Sequence, residues 1–291
     1  MWRSFPIKGF AFLLICAHPA FAQEPGPFAA FDKASEAVLA DPHDLTIGPD
    51  GRLYVADKFG ARIAVLDAET LEVIEMLGEG LLPGVHDISF GTDGKVAVAV
   101  TGASAVALYP DIAALNQPPK TGVSAPRSEG ALLHSNGDLY AMASGTGVLM
   151  RVRGSEVIGL VNGHFGAHDV AEAPDSSVWV ADNNARKLVR YSPELELLQT
   201  LDDPKFGFIG PRYLDVTRAG LLVVADQDAH RILLIDPRIE GGALLGMIGD
   251  GLPGLGPNKF DDPEGVAVEG PHYYFSDSDN NRVVRYTVIL N

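Results

Sequence analysis

One unit recurs along this chain, and the recurrence constrains the fold more than any other feature. In its clearest copy it runs Pro42-His43-Asp44-Leu45-Thr46-Ile47-Gly48-Pro49-Asp50-Gly51-Arg52-Leu53-Tyr54-Val55-Ala56-Asp57, then Arg62-Ile63-Ala64-Val65-Leu66. The alternating apolar runs on either side of Pro-Asp-Gly read as two strands joined by a tight turn, followed by a polar loop and a third strand. A fourth apolar run, Leu71 to Leu77, completes an antiparallel unit. The pattern returns at 85–109, 128–161, 167–201, 211–248 and 263–290. Its turn residues keep register: Thr92-Asp93-Gly94, Ser135-Asn136-Gly137, Pro174-Asp175-Ser176 and Arg218-Ala219-Gly220. No such unit buries both its faces alone, so six copies predict an all-β, six-bladed propeller of four-stranded blades.

The last copy stops after its third strand, Val283 to Leu290. Ser35 to Ala40, just upstream of the first copy, is expected to supply the missing fourth strand and so remove an open edge. Residues 34–291 are therefore read as the propeller and residues 23–33 as a linker. Arg3 and Lys8 precede and accompany a short apolar run, Gly9 to Cys16, and Ala20-Phe21-Ala22 offers small residues for cleavage. Residues 1–22 thus read as a signal peptide, and the product as periplasmic or secreted, with no membrane insertion after cleavage. The single cysteine, Cys16, would leave with that peptide, so stability would rest on packing or on a bound metal.

Charge narrows the partners. With 38 acidic against 22 basic residues, net −16, no basic stripe is available to neutralise phosphates. Nucleic acid and anionic membrane surfaces are excluded as partners; a small-molecule or peptide substrate, or a protein partner, is left. The recurrent pairs Asp57…Arg62, Asp182…Lys187, Asp226…Arg231 and Asp277…Arg282 are expected to staple loops within blades rather than clamp a substrate. The second and third copies carry small loops instead, Thr101-Gly102-Ala103-Ser104 and Ser144-Gly145-Thr146-Gly147, and so predict a low rim on that side of the channel. His134, His230 and His272 fall in turns and are expected at the surface, whereas Tyr54 and Trp179 are expected between blades.

Aligning the copies identifies the residue that opens each innermost strand: His43, His86, Glu129, His168, Arg212 and Glu264. Equivalent positions of a closed propeller ring its channel. Three imidazoles about one axis, with a fourth position free, is the layout of a catalytic zinc; imidazole-rich sites also accept copper, nickel or iron. His164, four residues before His168, is a candidate further ligand or supporting partner.

Two resemblances follow from these residues. Gly249-Asp250-Gly251-Leu252-Pro253-Gly254 through Phe260-Asp261-Asp262-Pro263-Glu264-Gly265-Val266-Ala267-Val268 resembles the NHL repeat, as do Tyr54-Val55-Ala56-Asp57…Arg62-Ile63 and Val224-Ala225-Asp226…Arg231-Ile232. Pro42-His43-Asp44-Leu45 and Ala167-His168-Asp169-Val170 resemble the strand starts of the peptidyl-α-hydroxyglycine α-amidating lyases, which are six-bladed NHL propellers. That resemblance implies zinc on His86 and His168 and a structural calcium at Asp169. It departs from the lyase pattern in one respect: alternate blades offer His86, His168 and Glu264, with His43 as an extra. Either a two-His-one-Glu site forms, or His43 replaces the missing ligand. Arg212 and Tyr213 are the candidates for the lyase's arginine and tyrosine.

The sequence therefore supports an exported metal-dependent lyase or hydrolase, amidating-lyase-like or lactonase-like, acting on a small oxygenated substrate. Glu129 or Glu264 would move the proton, and Arg212 would hold a carboxylate or oxyanion. The alternative is a non-catalytic binding, sensor or scaffold propeller.

Overall fold

The structure, a computed structural model, describes residues 28–290. The signal peptide expected over 1–22 and the start of the expected linker lie outside the described residues. Six four-stranded sheets form the blades of a propeller. The first blade comprises Pro42–Ile47, Leu53–Asp57, Arg62–Leu66 and Val73–Leu77, hydrogen-bonded in that order. The innermost strands of the others are Val85–Phe90, Ser128–Leu133, Ala167–Glu172, Pro211–Val216 and Pro263–Glu269. Among the described residues, no helix is long and apolar enough to cross a membrane.

The second strands are buried throughout: Leu-Tyr-Val-Ala-Asp, Val-Ala-Val-Ala-Val and Val-Trp-Val-Ala-Asp each read as fully covered. Small and large residues alternate there because each blade is gripped on both faces by its neighbours. Tyr54 and Trp179 are 2% and 1% exposed and join clusters that span adjacent blades, as expected.

The ring is closed by a different segment from the one expected. Phe28–Ala34 pairs antiparallel with Arg282–Ile289 as the outermost strand of the last blade, while Ser35–Ala40 runs as a connection. Phe31 and Ala34 pack against Tyr286 and its cluster, which the sparser apolar set of Ser35–Ala40 cannot match. The linker expected over 23–33 thus contributes residues 28–33 to the propeller.

The acid–base staples form. Asp57 and Arg62, Asp226 and Arg231, and Asp277 and Arg282 each approach within 2.7 Å, and the three carboxylates are fully buried. Each acid also holds backbone N–H groups of the preceding connection: Ala40 on Asp57, Ile209 and Gly210 on Asp226, Asp261 on Asp277. In the fourth blade Lys187 stays 4.0 Å from Asp182, and His164 takes its place: Nδ1 lies 3.1 Å from Asp182 and Nε2 2.7 Å from the Tyr191 hydroxyl. His164 is therefore a buried staple and does not reach the channel ring. His134 corrects its expectation too. It is 2% exposed, with Nε2 2.9 Å from the Ser176 carbonyl of the next blade.

Candidate functional site

In every blade the pairing register slips at the residue that opens the innermost strand. The break falls after Pro42, Val85, Ser128, Ala167, Pro211 and Pro263, so the ring residue is left out of the ladder each time. Such bulges re-aim a side chain. Here they bring His43, His86, Glu129, His168, Arg212 and Glu264 together at one end of the channel, as the repeat predicts.

The three imidazoles do not form one donor set. His86 and His168 both face Glu129: its Oε2 lies 3.1 Å from His86 Nε2 and 3.5 Å from His168 Nε2. The reason is positional. Glu129 comes from the blade between them, and its longer side chain inserts where the two rings would otherwise meet. His43 lies between two other acids, with Nδ1 2.5 Å from Glu264 Oε2 and Nε2 3.4 Å from Asp41 Oδ2. The two groups touch through edge-to-face contact of His43 and His86, centroids 4.5 Å apart. Among the described residues, Asp41, His43 and Glu264 are the one set of three donors whose atoms all lie within 4.8 Å of one another.

Several facing atoms are left without a hydrogen bond. Both nitrogens of His43, Glu129 Oε2, Glu264 Oε2, His168 Nδ1 and Arg212 Nε are buried with no hydrogen-bond partner. For the His43–Glu264 approach this means contact without hydrogen-bonding angle. His86 is better defined. Its Nδ1 lies 2.8 Å from the Gly84 carbonyl, which only accepts, and 2.8 Å from the Thr101 hydroxyl, which donates to the Ser128 carbonyl. The ring proton of a neutral His86 is therefore on Nδ1, and Nε2 turns a lone pair toward an unpartnered carboxylate oxygen. Two such atoms at 3.1 Å repel each other unless a proton or a cation lies between them.

The electrostatics agree with this division. Burial, then the neighbouring His43, push His86 down to about 3. Burial and Arg212 hold His168 well below the ordinary histidine range. Burial also opposes charge on His43, but Glu264 and Asp41 outweigh it and hold the ring above its ordinary value. Asp41 is kept low: burial alone would raise it, and the positive charges of the nearby His43 and Lys58 prevail.

A second ring, one residue beyond each second strand, holds the first in place. Gln227 donates from its amide to Asp262 at 2.6 Å and Glu264 at 2.9 Å, and accepts from Arg212. Lys58 lies 2.9 Å from Asp41, Thr101 contacts His86, and the Ser278 hydroxyl donates to the Pro42 carbonyl. Arg127 pairs with Glu129 at 3.1 Å. Sequence reading missed these residues and Asp41. For Lys58, Thr101, Gln227 and Ser278 the signal was the copy register itself, counted from the end of the second strand; Asp41 and Arg127 each stand two residues before a ring residue.

Tyr213 forms the floor. It points into the channel and is fully buried, its ring centroid 6.3 Å from that of His43 and 6.4 Å from that of His168. Beyond it lies a second chamber of about 280 Å3, lined by Asp44, Asp87, Asp169 and Asp215 and opening to the other face. Burial and mutual repulsion raise Asp44 and Asp169 well above the usual carboxylate range. Three of these acids also stitch blades together, accepting backbone N–H groups from the next innermost strand: Ala131 on Asp87, Leu214 on Asp169 and Val268 on Asp215. Among the described residues, no such interblade bond reaches Asp44.

The opening on the ring side is a cavity of about 360 Å3, lined by Asp41, Lys58, Phe59, Arg212, Asp262 and Glu264 among others. It sits over the first, fifth and sixth blades, not over the second and third. The small loops there fold onto the preceding connections: Gly102 and Gly145 donate to the Pro83 and Pro126 carbonyls.

No family model matches the chain, and no curated protein matches its sequence. Solved structures share the fold. A catalytically inactive virginiamycin B lyase from Staphylococcus aureus, solved with quinupristin, superposes with a TM-score of 0.62 at 13% identity over 90% of this chain and 100% of that one. The PQQ-bound aldose sugar dehydrogenase of Streptomyces coelicolor gives 0.64 at 16% identity, covering 91% of this chain and 99% of that chain. The Cps50 (Swd1) propeller domain of Myceliophteria thermophila gives 0.65 at 12% identity over 90% and 100%. Identities this low establish the propeller fold alone.

Proposed function

We propose that this protein is an exported, metal-dependent propeller enzyme that acts on a small oxygenated substrate at the ring-side mouth of its channel. The observation that carries this reading is the set Asp41, His43 and Glu264: three donors within reach of one ion, with unpartnered buried atoms, beside an open cavity. A mixed imidazole–carboxylate set with room for another ligand suits zinc, which would supply Lewis acidity toward a substrate oxygen. The amidating-lyase and lactonase alternatives both belong to this class. The NHL resemblance supports the same architecture.

The remaining ring residues have separable tasks. Glu129, anchored by Arg127 and faced by two imidazoles of low basicity, accepts a proton from the substrate. Arg212, fixed by Gln227 and with Nε 3.5 Å from Glu264 Oε2, holds that carboxylate in place at the mouth. Tyr213 closes the floor and keeps water from the opposite chamber out. In that chamber the aspartate cluster around Asp169 has the hard oxygen donors that calcium prefers.

One observation favours a metal-free binding or scaffold propeller instead. A protonated His43 between Asp41 and Glu264 would balance the same charges. Metal content separates the two. Protein loaded with zinc and dialysed should retain about one ion per chain at the ring, and His43→Ala combined with Glu264→Gln should lose it. Absence of retained zinc in the parent protein would leave the binding reading.

A further inference from the structure

We propose that the ring-bearing face binds an extended peptide in which a positively charged residue is flanked by apolar ones. The charge enters the acidic cavity, and its neighbours lie on the surrounding loop tips. This takes the cavity of the proposed function as its binding site and concerns what enters it, not how it reacts.

Charge is the first ground. The cavity wall carries Asp41, Asp262, Glu264 and Asp279 against Lys58 and Arg212. Neither base is free. Lys58 pairs with Asp41 at 2.9 Å, and Arg212 is bound to Gln227 and lies 3.5 Å from Glu264. Among the described residues, Asp262 and Asp279 have no Lys or Arg within ion-pair distance. Glu264, 2% exposed, also lines this space, with its oxygens turned toward Gln227, His43 and Arg212. A ligand entering here meets uncompensated negative charge.

The second ground is the surface around the mouth. Propeller topology puts the connections between blades and the loops after the second strands on the ring-bearing face. The large exposed apolar residues in connections gather there: Phe59, Leu81, Phe165, Ile209, Leu252 and Leu255, against Ile239 in the connections of the opposite face. Phe59, Phe165, Leu252 and Leu255 are 75, 64, 61 and 67% exposed. Single exposed apolar side chains are ordinary, but their gathering on one face is not. Phe59 belongs to both features, since it also lines the cavity. The loop that carries Leu252 and Leu255 is tied to the mouth where Asn280 donates to the Gly254 carbonyl. These residues come from connections of several blades, a spread that one small molecule does not cover and an extended chain does.

Two fluorescent synthetic peptides, identical except for a central Lys or a central Glu among leucines and alanines, test this by anisotropy on the full chain. The Lys peptide should bind at least about 10-fold more tightly. Asp262→Asn with Asp279→Asn should remove that preference. Phe59→Ser with Leu252→Ser and Leu255→Ser, all surface changes, should weaken both peptides about 10-fold while the melting temperature stays at the parent value. Equal affinity for the two peptides, or undiminished binding by the triple variant, would overturn the proposal. Metal content measured on the same samples keeps failure of the zinc reading separate.

Discussion

The hydroxyl of Tyr213, on the fifth blade, donates to the backbone carbonyl of His86, on the second, across a distance of 3.4 Å. These blades stand opposite each other, so one phenol spans the channel and divides it. The histidine–glutamate ring lies on one side and the aspartate chamber on the other. Burial and the nearby Glu264 and Glu129 push this phenol well above its ordinary range, so it stays a neutral donor.

Removing the floor should cost stability in proportion to the space left. Tyr213→Ala should lower unfolding free energy by about 3–5 kcal/mol, the usual range for truncating a buried aromatic. Tyr213→Phe, which removes only the hydroxyl, should cost about 1 kcal/mol. Urea unfolding measures both; equal effects would mean that the ring does not fill the channel.

The staples should be unequal by design of their surroundings. Asp226 takes two backbone N–H bonds and the Arg231 guanidinium while fully buried. Asp226→Ala strands all three donors and should cost about 3–5 kcal/mol. Arg231→Ala, which leaves the carboxylate its two N–H partners, should cost less than half as much.

Asp215 gives the fold a pH dependence. Burial raises it to about 6, against bonds from the Val216 and Val268 amides that favour the charged form. The folded chain therefore keeps this proton to a higher pH than the unfolded chain, which releases it near 4. Its contribution is complete below about pH 4 and is lost as pH rises through 6, a change of roughly 3 kcal/mol. Asp215→Asn should flatten the stability profile across that window in chemical denaturation; an unchanged slope would assign the dependence to other carboxylates.

The architecture was legible because period-2 strands and tight turns built from Gly, Asp, Asn, Pro and Ser recur in register, and local chemistry of that kind survives without tertiary knowledge. The closing strand was not. Residues 23–33 read as a linker and Ser35–Ala40 as the closing strand, and it is packing on Tyr286 that selects Phe28–Ala34 instead. The site was half legible. Register found all six ring residues, but nothing local says that Glu129 would part His86 from His168, or that Asp41 would join His43. Glycine explains one puzzle in the ring: Glu129 and Glu264 are each followed by Gly where the histidines are followed by Asp. A Cβ at Gly265 would come within 2.4 Å of the His43 carbonyl, and one at Gly130 within 2.6 Å of the His168 carbonyl. The next innermost strand passes too close there for any side chain.

The closing strand makes a further prediction. Deleting residues 28–34 should expose the edge of Arg282–Ile289 with Tyr286 and Val288, both buried in the intact fold. An uncovered edge of that kind recruits another chain. Size-exclusion chromatography should show self-association of the truncated protein and none from a deletion ending before Phe28.

The claim on which the enzyme reading stands is a cation shared by Asp41, His43 and Glu264. A crystal grown with zinc, measured on both sides of the zinc absorption edge, locates that ion directly. The account predicts an anomalous peak between these three side chains. A map whose only peaks lie elsewhere, or none in the channel at all, would contradict it.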